Sequence, residues 1–100
     1  MKTAQLKLVT IIAEDGLEAR LLRELKALGA KGYTVSNVRG VGLHTDRTNE
    51  FEGENILIET LVSKEVADKI LEKLASDYFD RYSIIAYVET VEVVRGERFV

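Results

Sequence analysis

The order of hydrophobic patterns along the chain predicts an α+β domain of βαββαβ type, built on one antiparallel four-stranded sheet. Three observations carry the prediction. Four short segments are rich in Val, Ile, Leu and Thr; two stretches with helical apolar spacing separate the first from the second and the third from the fourth. A long polar segment without periodicity joins the second and third.

Residues 6–13, LKLVTIIA, are apolar on nearly both faces, which suits a central strand. Asp15 is placed to cap a helix whose Leu17, Leu21, Leu22, Leu25 and Leu28 recur at helical spacing, and Gly29 is placed to end it in the left-handed conformation. Lys26 and Lys31 flank that end, where positive charge is favoured. Residues 32–39 alternate as a strand, with Tyr33, Val35 and Asn37 on one face and Thr34, Ser36 and Val38 on the other. In residues 40–54 only Val41, Leu43 and Phe51 are large and apolar, so the stretch reads as a long loop, and loops of that length in small domains commonly carry function. NILIETLV, residues 55–62, resumes as a strand. Ser63 then caps a helix in which Val66, Ile70 and Leu74 stack, with Ala67, Leu71 and Tyr78 extending the stripe. Residues 84–94 form the last strand.

This order is the ferredoxin-like one, with both helices on one face of the sheet. The second face needs a cover, because positions such as Ile56, Ile58, Val88 and Val91 are too apolar to stay wet, and self-association is the economical solution. With 100 residues, no linker and no repeat beyond the two halves, the chain reads as one domain, 1–100. A domain of this size buries only about two thirds of its unfolded surface, so association would also help its stability.

Composition excludes several classes. A net charge of −3 leaves no dense basic face for non-specific nucleic-acid binding. The absence of cysteine removes disulfides, thiolate catalysis and soft-metal sites, and a single His makes no zinc site. No run reaches membrane-spanning length and no signal-peptide stretch follows Met1, so a cytoplasmic protein is expected. Glu50, Glu52 and Glu54, with Glu89 and Glu92, read as solvated surface rather than catalytic carboxylates, and no nucleophile-elbow, Walker or HExxH pattern occurs. The chain is expected not to be an enzyme.

The richest stretch is residues 29–42, GAKGYTVSNVRGVG. Glycines at a strand exit let the backbone take positive φ and approach a ligand closely, although a GxG turn is often only a turn. The Gly-hydrophobic-Thr-Val strand, the basic residue and the Gly-x-Gly opening a polar loop resemble the PII signalling proteins, and GAKGYTV resembles the SbtB-type PII-like proteins of bicarbonate uptake. The resemblance implies a homotrimer that binds an adenine nucleotide at the clefts between subunits. It assigns Thr34, Gly40, Val41 and Gly42 to the adenine and ribose side, with Arg39 beside them. Arg47 matches a loop arginine that contacts phosphate in the SbtB-type proteins, and His44 replaces the other. Ser83 and Ile84 lie where the family has its second ligand loop. Arg95, Arg98 and Phe99 follow the last strand, where basic residues of one chain can complete a neighbour's phosphate site; a frayed terminus is the alternative.

Departures from the family pattern matter too. The glycine- and lysine-rich turn for ATP phosphates is missing around residues 82–85, which favours AMP, ADP or cyclic AMP over ATP. Residues 40–54 contain no tyrosine, so uridylylation of a loop tyrosine is not expected. The implied partner is a bicarbonate or other membrane transporter, or a carbon-fixation protein, engaged through the loop. The competing reading is a CutA-like trimeric metal- or ligand-binding module. An acylphosphatase-like enzyme would need an anion-binding arginine where this chain has Glu14, Asp15 and Gly16.

Overall fold

A computed structural model of the chain describes residues 1–40 and 54–100. Strands β1 (Thr3–Glu14), β2 (Thr34–Val38), β3 (Asn55–Val62) and β4 (Ile85–Val94) form one sheet in the order β2-β3-β1-β4, with every neighbouring pair antiparallel. Helices α1 (Glu18–Leu28) and α2 (Lys64–Asp77) bury Leu21, Leu25, Ala67, Ile70 and Leu74 against one face of it. The expected βαββαβ fold is therefore present.

Which strand residues meet the helices follows from the two-residue period of the pleat. Val9 and Ile11 of β1 stand with Ile56, Ile58 and Val62 of β3 on the helix side, and Val35, Ala86 and Val88 pack at its margins. The expectation that Ile56, Ile58 and Val88 line the second face is thus corrected; of that group only Val91 does. The open face carries Leu8, Ile12, Leu57 and Leu61, each half-buried in the single chain. Their helix-side neighbours are the more buried set because β3 alternates strictly between buried and half-buried positions along its length.

The ends of the elements show what starts and stops them. Gly29 closes α1 at φ 116°, with Ala30 N–H donating to the Leu25 carbonyl at 2.9 Å. Ser63 caps α2, its hydroxyl accepting from Val66 N–H at 3.2 Å. Asp15 is not a cap: it begins a 3-10 turn, Asp15–Leu17, that leads into α1, and its own N–H donates to the Glu54 carbonyl at 2.8 Å. That bond ties the exit of β1 to the entry of β3. β1 also starts earlier than its apolar run suggests, because Thr3, Ala4 and Gln5 pair with Val94, Val93 and Glu92.

Beyond the tip of α2 the helices are joined by a polar and aromatic cluster. Tyr78 is fully buried, its hydroxyl donates to Glu24 Oε2 at 3.2 Å, and the Arg20 guanidinium lies over its ring at 4.7 Å. Burial, and then the neighbouring Glu24 carboxylate, raise the Tyr78 pKa above its ordinary value. A hydrogen bond from Lys73, whose ammonium stands 2.8 Å from the carboxylate, is the main cause of the lowered Asp77 pKa.

Candidate functional site

Strand register decides which of the singled-out residues can meet. Val38 pairs with Asn55, Asn55 with Glu14, and Ile12 with Ile85, so Arg39 and Gly40 leave the sheet at the same end as Ser83 and Ile84. They stand on opposite edges, however, about 14 Å apart across three strand spacings. Thr3 pairs with Val94, which puts Arg95 and Arg98 at the other end, and the ten residues of β4 hold the two ends roughly 30 Å apart. One chain therefore presents the two halves of the expected site in opposite directions.

At the first end, Arg39 and Gly40 are exposed. Gly40 has no positive φ, and a Cβ built on it meets nothing within 4 Å. The expected conformational reason for a glycine there is corrected: among the described residues nothing in the chain itself demands it. Ser83 is exposed, while the Ile84 side chain packs against the core and so leaves only its backbone for a ligand. Val41, Gly42, His44 and Arg47 lie outside the described residues.

At the other end the tail is folded rather than frayed. Arg95 takes the left-handed conformation, φ 62° and ψ 39°, and a 3-10 turn, Gly96–Phe99, closes with Arg98 N–H donating to the Arg95 carbonyl at 3.1 Å. The turn lies on the open face of the sheet beside Ala4 and Leu6, which explains why Leu6 is only 7% exposed on a face whose other leucines stay half-buried. Both arginine side chains remain exposed.

Phe99 and Thr34 share one surface feature. They line a concavity of about 700 Å³ on the open face, floored by Leu8, Leu61 and Val91, with Glu59 beside Thr34 in the paired register. Thr34, Glu59, Thr10 and Tyr87 form one polar row across the four strands, and Tyr87 is 45% exposed. The sequence did not single out Glu59. It belongs to no motif, and only strand register brings it beside Thr34, whereas Gly96 lies within the tail, residues 95–99, that the sequence did offer.

The arrangement defines a ferredoxin-like chain with an uncovered apolar sheet face and exposed arginines at both of its ends. Comparison with known proteins agrees. The family model described as nitrogen regulatory protein P-II matches residues 6–98, and the chain belongs to that family. A proposed PII-like signaling protein from Thermus thermophilus is 55% identical over 100% of both chains, with a TM-score of 0.88. CPII from Thiomonas intermedia K12, bound to ADP, AMP and acetate, is 30% identical over 99% of this chain and 98% of its own, with a TM-score of 0.87. B. subtilis GlnK in complex with ATP is 25% identical over 96% and 99% of the two chains, with a TM-score of 0.58. The family match replaces the CutA-like alternative. No described helix is long and apolar enough to cross a membrane.

Proposed function

We propose that this protein is a signal-transduction protein that binds an adenine nucleotide in clefts between the subunits of a homotrimer and passes that occupancy to a partner protein. The observation that carries the reading is the roughly 30 Å separation of Arg39 and Gly40 from Arg95 and Arg98 along one sheet, which leaves each end with half a ligand site. Packing copies through the open face would bring one chain's strand exit to its neighbour's tail. The face is apolar enough for the purpose, with Leu8, Ile12, Leu57 and Leu61 half-buried before any partner is added.

Within such a cleft Thr34, Gly40 and the adjoining Val41 and Gly42 take the adenine and ribose, and Arg47 with the neighbour's Arg95 and Arg98 takes phosphate. The ADP and AMP bound to CPII support nucleotides with few phosphates as ligands. So does the lack of a glycine- and lysine-rich turn around Ser83. CPII was also solved with ADP and bicarbonate, which makes bicarbonate a candidate second effector. Binding, not turnover, is the proposed activity, so a bound nucleotide should be recovered unchanged. The signal passes through the polar segment between β2 and β3 to a membrane transporter or carbon-fixation protein, and the protein works in the cytoplasm.

Calorimetric titration with ATP, ADP, AMP and cyclic AMP, with and without bicarbonate, tests the reading together with a solution mass. Binding of at least one nucleotide by a trimer is expected. A monomer, or a trimer that binds none of the four, would sink it. Capture of partners on nucleotide-loaded and empty protein tests the signalling half: the same proteins in both captures would remove it.

A further inference from the structure

The carboxy-terminal tail meets the sheet through a contact that only glycine permits. Gly96 is buried, and a Cβ built on it would stand 2.7 Å from the Ala4 Cβ, well inside van der Waals contact. Gly96 has no positive φ, so the contact alone makes a side chain costly there. Ala4 cannot yield by changing rotamer, because its methyl sits directly on the backbone of β1, paired to Val93. The tail is the part free to move.

On either side of this seat the backbone is also constrained. Arg95 holds a left-handed conformation that non-glycine residues rarely adopt, the Arg98 N–H closes the turn on the Arg95 carbonyl, and Phe99 lies in the concavity with Leu8 and Val91. Arg95 and Arg98 therefore spring from a backbone fixed before, between and after them, while their guanidinium groups stay exposed. Ordering a long side chain costs entropy, and that cost falls when the backbone beneath it is already fixed.

We propose that the Gly96–Ala4 contact is a positioning device that holds Arg95 and Arg98 for nucleotide phosphate, and that it sets how strongly the protein distinguishes ligands by their number of phosphates. This rests on the reading that an adenine nucleotide binds between subunits. Gly96 and Ala4 touch no ligand; they act through the tail. Adenosine, without phosphate, gains nothing from the seat, AMP gains something and ADP gains most.

The test compares wild type, Gly96→Ala and the size-swapped Ala4→Gly/Gly96→Ala, titrating each with adenosine, AMP and ADP. Tryptic cleavage after Arg95 and Arg98 is followed without ligand. Gly96→Ala should speed cleavage and weaken ADP by about tenfold with adenosine unchanged, as expected for lost preorganisation. The double variant, which moves the methyl from one side of the contact to the other, should recover slow cleavage and ADP affinity. Unchanged cleavage in Gly96→Ala overturns the seat. Equal losses for adenosine and ADP, an unaltered ADP affinity, or no recovery in the double variant overturns the phosphate role. If wild type binds no nucleotide while Gly96→Ala still speeds cleavage, the nucleotide reading falls, and the seat remains only a fixture of the fold.

Discussion

The Thr60 hydroxyl of β3 donates to the Gly32 carbonyl at 2.6 Å, fixing the lead-in to β2 two residues before Thr34. Thr60 is 2% exposed, so its hydroxyl has no alternative partner in water. Thr60→Val keeps the shape, removes the donor and should cost about 1 kcal/mol, the usual net worth of such a bond. Thr60→Ser should stay closer to wild type. Urea unfolding at one fixed protein concentration reads both, and a Thr60→Val midpoint equal to wild type would show that the bond contributes nothing.

Gly29 carries the α1 stop. Its φ of 116° disfavours any side chain, and an added Cβ would come within 3.2 Å of Val66 Cγ2 on α2. Gly29→Ala should therefore destabilise by about 1–2 kcal/mol, where an alanine in an unstrained helix would stabilise. Ser63→Ala, which removes the α2 cap, should cost about 1 kcal/mol. Denaturation midpoints shifted the other way would contradict both assignments.

Alkaline stability follows from Tyr78. Its folded-state pKa is raised above the ordinary 10.0, first by burial and then by Glu24, so the unfolded chain gives up this proton at lower pH than the folded one. The resulting stability is complete below pH 10 and is lost as pH rises through the folded-state value. Tyr78→Phe removes the titrating group. Unfolding measured from pH 8 upward should show wild type losing its advantage over Tyr78→Phe above pH 10, whereas a constant difference across that range would exclude Tyr78 as the cause.

Much of the fold is legible in the sequence because local signals and packing agree. β3 runs over the expected residues since its apolar positions alternate without interruption, and Gly29 and Ser63 act as stop and cap because each role needs only local chemistry. Where partners are distant in sequence, local signals mislead. Asp15 has the residue type of a cap, but its backbone is taken by Glu54, far along the chain. Ile56, Ile58 and Val88 are as apolar as the residues of the open face, and only register tells the two sets apart. The candidate site is less legible than the fold. Its motif residues can be named one by one, but the fact that one chain holds Arg39 and Gly40 at one end of the sheet and Arg95 and Arg98 at the other, and the Gly96 seat on Ala4, depend on pairings that no local pattern encodes.

The open face should be where copies meet. Leu57→Asp places a charge among Ser36, Ile12 and Ile85 on that face, away from the helix-side core. It should lower the solution mass to that of a single chain while leaving the far-UV circular dichroism in place, because burying an unpaired carboxylate at an interface is strongly unfavourable. An unchanged mass would show that this face is not the one used.

If each ligand site takes its two halves from two chains, mixed variants should restore what each variant alone has lost. Gly40→Asp damages one half, Arg95→Ala/Arg98→Ala the other, and each variant alone should lose ADP binding. Unfolded together in equal amounts and refolded, the two should assemble at random, and about a quarter of the clefts should pair an intact strand exit with an intact neighbouring tail. The predicted result is ADP binding restored at near wild-type affinity in about that fraction of sites. Mixed trimers that bind no ADP, although wild type refolded in the same way does, would contradict the shared site.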